Sequence, residues 1–175
     1  AIDSHGELRA ALPLFEPAFE IVEFAQPEAK EPRPAPIEVR DPLPVEQLES
    51  GLVLGIRDYF EKQNLPPGAV IGLSGGIDSA VTAHLAVEAL GADRVLGVAM
   101  PGPYSSGHSV DDALELGRRL EIEVRTVDIR DVYESYRSLF GQLFGERDDY
   151  GLTQQNIQSR IRGAVLMAVS NQENR

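Results

Sequence analysis

Hydrophobic positions recur along this chain with two different periods. Residues 45–64 place apolar side chains three and four positions apart, which predicts a helix with one apolar face. Short apolar runs at residues 69–73 and 95–100 are typical of strands buried on both faces. Residues 121–127 alternate between apolar and polar side chains, which predicts a third strand.

Helical patterns follow each of these predicted strands. The predicted helices cover residues 79–90, 109–120, 131–144 and 153–170. Ser109 and Thr153 carry hydroxyls at the starts of two of them, where such side chains cap helices. Strands joined through helices by short connections run parallel, so this order predicts an α/β domain whose parallel sheet is covered on both faces.

The first 44 residues have a different character. Residues 15–24 alternate in part and predict a strand, although short strands need a larger sheet to be stable. Six prolines between positions 27 and 44 predict an extended linker. We therefore expect residues 1–26 to end a preceding domain, residues 27–44 to be a linker, and residues 45–175 to begin another domain.

The strongest chemical signal lies between the first predicted strand and the helix after it. Positions 74–79 read Ser-Gly-Gly-Ile-Asp-Ser. The two glycines allow a sharp turn and let backbone N–H groups approach an anion, and the helix N-terminus favours negative charge. A carboxylate at Asp78 repels phosphate unless it binds a bridging divalent cation. The motif therefore predicts a phosphate site with a cation at Asp78, and a glycine-rich turn without a ligand is the alternative.

The motif differs from two common phosphate loops. The Walker A motif requires a lysine, and this segment has none. The segment also lacks the Gly-x-Gly-x-x-Gly dinucleotide fingerprint. It resembles the PP-loop of the N-type ATP pyrophosphatases, a family that includes NAD, GMP, asparagine and argininosuccinate synthetases. The resemblance implies an adenine-nucleotide α-hydrolase-like fold, a three-layer α/β sandwich with a parallel sheet. It also implies ATP and Mg²⁺ as cofactors, and transfer of AMP to a substrate oxygen with release of pyrophosphate. The ATP-binding residues then expected are Gly72, Leu73, Ser74, Gly75, Gly76, Ile77, Asp78 and Ser79, with Asp78 also binding the metal.

Two further segments narrow the resemblance. Positions 156–163 read Asn-Ile-Gln-Ser-Arg-Ile-Arg-Gly, and positions 104–109 read Tyr-Ser-Ser-Gly-His-Ser. Both are similar to the glutamine-dependent NAD synthetases. The resemblance implies amidation of nicotinic acid adenine dinucleotide to NAD through an adenylate, with ammonia or glutamine as nitrogen source. It also implies a homo-oligomer for the full-length enzyme.

Helical spacing divides the last predicted helix into two faces. The face expected to pack on the core comprises Ile157, Ile161, Ala164 and Ala168. Asn156, Arg160 and Gly163 lie on another face, and a mid-helix glycine costs about 1 kcal/mol relative to alanine. We expect close packing or a ligand to offset that cost. Spacing alone leaves an ordinary surface face equally open, whereas the resemblance favours substrate contact at Asn156 and Arg160.

One further candidate follows from strand position. Met100 ends the second predicted strand, at the edge where parallel α/β sheets bind ligands. It is expected either to touch the adenine or to pack in the core.

Composition limits the partners. The chain has no cysteine, which excludes disulfides, zinc–thiolate sites and a cysteine nucleophile within it. The family's nitrilase-like glutaminase uses such a nucleophile, so we expect residues 1–26 to be only the tail of that domain. Acidic residues outnumber basic ones by 28 to 16, and the net charge of -12 disfavours a broad nucleic-acid surface.

No signal peptide and no membrane-spanning run is present in the sequence, so we expect a cytoplasmic protein. We also expect the chain to be a fragment that is inactive alone, and we assign no catalytic residue in it. Two alternative functions remain. One is another PP-loop amidating enzyme, such as a GMP synthetase, and the other is a module that binds ATP without turnover.

Overall fold

The computed structural model describes residues 1–3, 5–22, 37, 43–105, 107–147 and 149–175. The chain divides into two compact units, Ala1–Gly55 and Ile56–Arg175, and the boundary falls within helix α1 (Pro44–Lys62). The first unit contains a short antiparallel bridge between Ile2 and Leu8. The second unit contains the α/β elements.

Strands and helices alternate along the second unit. In chain order they are β1 (Ala69–Leu73), α2 (Ile77–Leu90), a 3-10 turn (Ala92–Arg94), β2 (Val95–Ala99), α3 (Gly107–Arg119), β3 (Glu123–Thr126), α4 (Arg130–Phe144) and α5 (Leu152–Glu173). The three strands form one parallel sheet in the order β1-β2-β3. Ala69 lies opposite Val95, and Leu96 lies opposite Glu123. The predicted parallel α/β arrangement is confirmed.

The central strand β2 sends its side chains to both faces of the sheet, because successive residues of a strand point in opposite directions. Leu96 and Val98 pack in one cluster with side chains from α4 and α5. Val95 and Ala99 pack on the other face, against α2 and α3. The sheet is therefore the middle of three layers, as predicted.

Two kinds of local prediction are wrong. Residues 15–22 are bent or irregular rather than a strand, and residues 23 and 24 lie outside the described part of the chain. A strand needs a neighbour to satisfy its backbone groups, and a local alternation of side chains does not provide one. Neither Ser109 nor Thr153 caps a helix, since α3 begins at Gly107 and α5 at Leu152. Gly151 takes the N-cap of α5 with a φ of 56°, which glycine adopts readily.

The expected linker at residues 27–44 lies mostly outside the described residues. Ile37 donates its N–H to the carbonyl of Leu8 at 3.1 Å. Pro44 is already the first residue of α1, a position that suits proline because its missing N–H would have no partner there. The helix predicted at residues 45–64 is therefore confirmed, and it begins one residue earlier.

The apolar face of α1 is largely exposed. Its predicted stripe includes Val45, Leu48, Leu52 and Tyr59, and all four have exposed side chains. No helix in the described residues is long and apolar enough to cross a membrane.

Candidate functional site

The segment at residues 74–79, called the phosphate loop below, connects β1 to α2 and is closed by two serine hydroxyls. Ser79 Oγ donates to the Gly76 carbonyl at 2.9 Å and accepts the Ser74 N–H at 3.2 Å. Ser74 Oγ lies 3.1 Å from Ser79 Oγ and accepts the Gly76 N–H at 3.2 Å. Because the Ser79 proton already goes to Gly76, Ser74 supplies the proton between the two hydroxyls. The loop therefore has internal bonds that fix its shape.

Gly75 brings the loop against the start of α3. Its φ is +75°, a conformation that side chains other than glycine rarely adopt. A Cβ at this position would lie 2.8 Å from both the Cα and the carbonyl oxygen of Ser109. The glycine is therefore required by both the turn and this close approach.

Helix α2 begins within the phosphate loop, at Ile77. Gly76 is its N-cap, and no side chain caps its first turn. The first N–H groups of a helix lack intrahelical acceptors, so the amides of residues 77–79 can bind an anion, and the helix dipole adds to this attraction. Asp78 lies in this first turn with an exposed side chain.

A cavity of about 550 Å³ opens beside the phosphate loop, at the carboxyl end of the sheet. It is called the nucleotide cavity below. The ends of β1 and β2, the start of α3 and one side of α5 form its walls. Open parallel sheets bind ligands outside the carboxyl ends of their strands, so this is the expected place for a ligand. Of the eight residues predicted to bind ATP, Gly72, Leu73 and Ser74 line the cavity.

Gly72 and Met100 lie side by side in the cavity wall. A Cβ on Gly72 would lie 3.4 Å from Met100 Cε and 3.3 Å from Leu166 Cδ1. Met100 is 6% exposed and belongs to the core cluster, and it also lines the cavity. The two expectations for Met100 thus coexist, and its contact with adenine stays a prediction.

Helix α5 contributes Ser159, Arg162 and Gly163 to the nucleotide cavity. Arg162 Nε donates to the Met100 carbonyl at 3.4 Å, so its guanidinium reaches from α5 to the end of β2. This arginine adds positive charge to a cavity that borders a phosphate loop. A Cβ on Gly163 would meet no atom of another element within 4 Å. Close packing therefore does not explain this glycine, and a ligand beside it stays a prediction.

The core side of α5 differs from its prediction at two positions. Ile161 is buried and Ile157 packs against the core, as expected. Ala164 and Ala168 are exposed instead. Larger apolar side chains gain more by leaving water, and they take the core side of this helix. Those residues are Val165, Leu166 and Val169.

Asn156 and Arg160 are exposed and do not line the nucleotide cavity. Asn156 lies about 20° from Gly163 around the helix axis and about 10 Å nearer its N-terminus. Asn156 therefore lies on the same edge of α5 as Gly163, but beyond the cavity toward the N-terminus of the helix. Arg160 lies about 60° from Gly163, farther toward solvent. Their contact with a substrate stays a prediction.

Three further residues line the cavity that the sequence did not single out: Arg162, Ser159 and Ser105. Ser159 precedes Gly163 by four positions, so helical spacing does place it on the same side of the helix. Arg162 is adjacent to Gly163 and lies about 100° from it around the helix, and its position depends on its bond to the Met100 carbonyl. The position of Ser105, a loop residue, depends on how the turn folds.

The metal prediction concerns Asp78 alone. Among the described residues, no group of three or more His, Cys, Asp and Glu side chains could hold a metal ion. Mg²⁺ is typically bound by one or two carboxylates together with phosphate oxygens and water. One exposed carboxylate within the phosphate loop, in the first turn of α2, fits that pattern, and Mg²⁺ at Asp78 stays a prediction.

Known proteins are similar to this chain over most of its length. The family model described as NAD synthase matches residues 48–175. A glutamine-dependent NAD(+) synthetase from Synechocystis sp. is 39% identical over 173 residues. That match covers 98% of this chain and 30% of the relative, so the chain spans about a third of the relative's length.

Two solved structures resemble the chain in both fold and sequence. A glutamine-dependent NAD+ synthetase from Acinetobacter baumannii, in complex with adenosine diphosphate, has a TM-score of 0.71 and 40% identity. The match covers 78% of this chain and 26% of that one. An NMN synthetase from Francisella tularensis has a TM-score of 0.66 and 36% identity, and the match covers 77% and 53% of the two chains.

Proposed function

This chain belongs to the NAD synthase family, and on that premise we propose that it carries the ATP-binding part of an enzyme that amidates nicotinic acid adenine dinucleotide to NAD. The nitrogen comes from glutamine or free ammonia. The chain spans about 30% of the Synechocystis relative, so this activity belongs to the full-length protein. The expected homo-oligomer and the cytoplasmic location belong to the same proposal.

The continuity of the phosphate loop with the nucleotide cavity carries this proposal. Ser74 belongs to both, and Met100 and Arg162 line the same cavity. A nucleotide with its phosphates on the loop would place its sugar and base in the cavity, whose volume is typical of small-molecule sites. The solved relative from Acinetobacter baumannii contains ADP, which supports a nucleotide here.

The loop suits a reaction that activates a carboxylate, which has no good leaving group of its own. In the proposed reaction, a substrate carboxylate oxygen attacks the α-phosphorus of ATP, the bond to the β-phosphate breaks, and pyrophosphate leaves. Ammonia then attacks the acyl carbon and displaces AMP.

The chain's own groups would act on the phosphates. The amides of residues 77–79 would bind the pyrophosphate where its negative charge develops, while the two serine hydroxyls hold the loop in shape. Arg162 adds a cation to the lining of the same cavity. Mg²⁺, when bound at Asp78, would neutralise part of the phosphate charge.

The dinucleotide is assigned to the exposed edge of α5. Asn156 and Arg160 lie there, outside the cavity that ATP would fill. A second substrate must approach the α-phosphate from outside the ATP site. These two side chains supply amide and guanidinium donors for that approach.

ATP–pyrophosphate exchange in the full-length protein tests the function. We expect exchange that depends on nicotinic acid adenine dinucleotide, with AMP and pyrophosphate as products. The NMN synthetase relative makes nicotinic acid mononucleotide the second acid to try. Exchange supported only by a GMP synthetase substrate would assign the chain to another amidating enzyme. ATP binding without AMP formation would leave only a nucleotide-binding module.

A further inference from the structure

The turn that follows β2 is closed by its own hydrogen bonds. The Ser105 N–H donates to the Gly102 carbonyl at 3.1 Å, and Ser105 Oγ accepts the Gly102 N–H at 2.9 Å. Pro103 and Tyr104 are the two central residues of this turn, and proline favours its first central position. Because Ser105 lines the nucleotide cavity, a shift of the turn moves that wall.

The start of this turn is fixed by the helices beneath it. The Ile129 N–H donates to the Pro101 carbonyl at 3.1 Å, next to the bond between Arg162 and Met100. A Cβ on Gly102 would lie 3.2 Å from the Arg162 guanidinium, so the turn also touches α5 closely. These contacts hold Pro101 and Gly102 in place. The central residues of the turn, Pro103 and Tyr104, need a further contact to fix them.

The Tyr104 hydroxyl makes that contact. Gln154 Nε2, in the first turn of α5, donates to Tyr104 Oη at 2.6 Å. Tyr133, from the first turn of α4, also packs against the Tyr104 side chain. The two tyrosine rings meet edge-on, with centroids 6.3 Å apart.

Tyr133 gives the Tyr104 ring a fixed surface to pack against. Its side chain is 2% exposed and belongs to the apolar core cluster. Burial, and then the neighbouring Tyr104 side chain, raise the pKa of Tyr133 to about 12, so its hydroxyl stays protonated at neutral pH.

Tyr104 is therefore held from two different helices, by the Gln154 amide at its hydroxyl and by the Tyr133 ring against its own ring. Tyr104 itself is 64% exposed, so its placement is not explained by burial of its ring. We propose that Tyr104 is a positioning residue that, held by Tyr133 and Gln154, fixes the turn at residues 102–105 and through it the Ser105 wall of the nucleotide cavity. The expected effect on the KM for ATP rests on the proposed function. The ordering of the turn rests on geometry alone.

The experiment uses the full-length protein with Tyr104→Phe, Gln154→Leu and the double variant. Gln155→Leu is the matched control, because Gln155 borders the same 460 Å³ surface cavity as Tyr104 and Gln154, while the structure gives its side chain no bond to Tyr104. Hydrogen exchange of the amides at residues 102–105 reports the turn directly. Kinetics with ATP, and an ATP titration by calorimetry, report the cavity.

We expect exchange at the turn to quicken about fivefold in Tyr104→Phe and in Gln154→Leu, which is the ratio set by one hydrogen bond of about 1 kcal/mol. The KM for ATP should rise by about three- to tenfold while kcat stays within about twofold. The double variant should be no worse than the poorer single one, because both remove one unit. Gln155→Leu should match the wild type, and the thermal midpoints should all stay close to it.

Unchanged exchange at the turn in both single variants would overturn the inference, whatever the enzyme's activity. Faster exchange with an unchanged ATP affinity would overturn the link to the cavity. A wild-type protein that neither binds ATP nor forms AMP would refute the proposed function instead, and the exchange data would still decide whether Tyr104 orders the turn.

Discussion

At the scale of single residues, Gly75 is the position with the least freedom in the phosphate loop. Gly75→Ala adds a methyl group 2.8 Å from the Ser109 backbone and forces alanine to a φ of +75°. The left-handed conformation alone costs about 1–2 kcal/mol. We expect the free energy of unfolding to fall by about 2 kcal/mol or more, and ATP binding to be lost. Denaturant unfolding and an ATP titration measure the two effects.

Gly107→Ala is the matched control for that change. Gly107 is the first residue of α3, and a Cβ there would meet no atom within 4 Å. Its substitution should alter stability by less than about 0.5 kcal/mol, as is usual for surface changes. Equal effects of the two substitutions would show that the contact with Ser109 does not constrain the loop.

For Asp78 we expect the opposite: its substitution should have a large effect on the reaction and little effect on folding. Its side chain is exposed in the first turn of α2, where an acid contributes about 0.3–1 kcal/mol through the helix dipole. We expect Asp78→Ala to stay folded and to lose Mg²⁺-dependent pyrophosphate exchange. Glu88→Ala removes the same charge from the other end of α2 and should retain exchange. Wild-type exchange in Asp78→Ala would end the metal assignment.

Single residues were predictable where backbone N–H groups, and not side chains, are expected to bind the ligand. Consecutive glycines before a helix indicate a phosphate loop, because the required conformation excludes most other residues. Arg162 was not predicted, because its role depends on reaching the Met100 carbonyl across the cavity, 62 positions away in sequence. The Tyr104–Gln154 bond spans 50 positions and was missed for the same reason.

At the scale of elements, α5 carries two separate predictions. Gly163→Leu replaces a mid-helix glycine, which should raise the free energy of unfolding by up to about 1 kcal/mol. Its side chain would enter the nucleotide cavity, where nothing now lies within 4 Å of the new Cβ. We therefore expect greater stability together with an ATP KM raised by about tenfold or more. Calorimetric unfolding and steady-state kinetics measure the two changes.

Ala164→Leu is the control on the neighbouring, exposed position. It adds a large apolar group to the same helix without entering the cavity, so its ATP KM should stay at the wild-type value. An unchanged ATP KM in Gly163→Leu would mean that ATP does not occupy this side of α5.

The second prediction for α5 concerns Asn156. Its side chain lies on the exposed edge beyond the cavity, so we expect Asn156→Ala to raise the KM for the dinucleotide much more than that for ATP. Arg160→Ala should act in the same direction. Met167→Ala, on an exposed stretch of the same helix, should leave both constants unchanged. If the KM values for ATP and the dinucleotide change equally, or not at all, Asn156 and Arg160 are ordinary surface residues.

Elements were predictable where a long periodic pattern coincides with burial. The strand at Ala69–Leu73 has the predicted limits, and the other strands and helices of the α/β part differ only at their ends. The core side of α5 was harder, because alanines and valines both satisfy a helical period and packing chooses between them. The strand expected at residues 15–24 was wrong over its described part, because pairing depends on other segments.

At the scale of the whole molecule, helix α4 exposes several apolar side chains. Leu139, Leu143 and Phe144 are 50%, 72% and 54% exposed. Monomeric proteins rarely expose large contiguous apolar patches, which instead promote association. The exposed apolar stripe of α1 adds to this tendency.

The last prediction is that residues 1–175 expressed alone associate and do not make NAD. The chain spans 53% of the NMN synthetase structure it matches, and it contains no cysteine for a glutaminase. Light scattering should give masses above 19.1 kDa that rise with concentration. Leu139→Gln with Leu143→Gln should reduce association because it removes apolar surface from α4, whereas Ser138→Gln, on the same helix, should not. An assay with ATP, ammonia and the dinucleotide measures NAD directly. A monodisperse monomer that forms NAD would show that these 175 residues already contain a complete active site, and that the exposed face of α4 needs no partner.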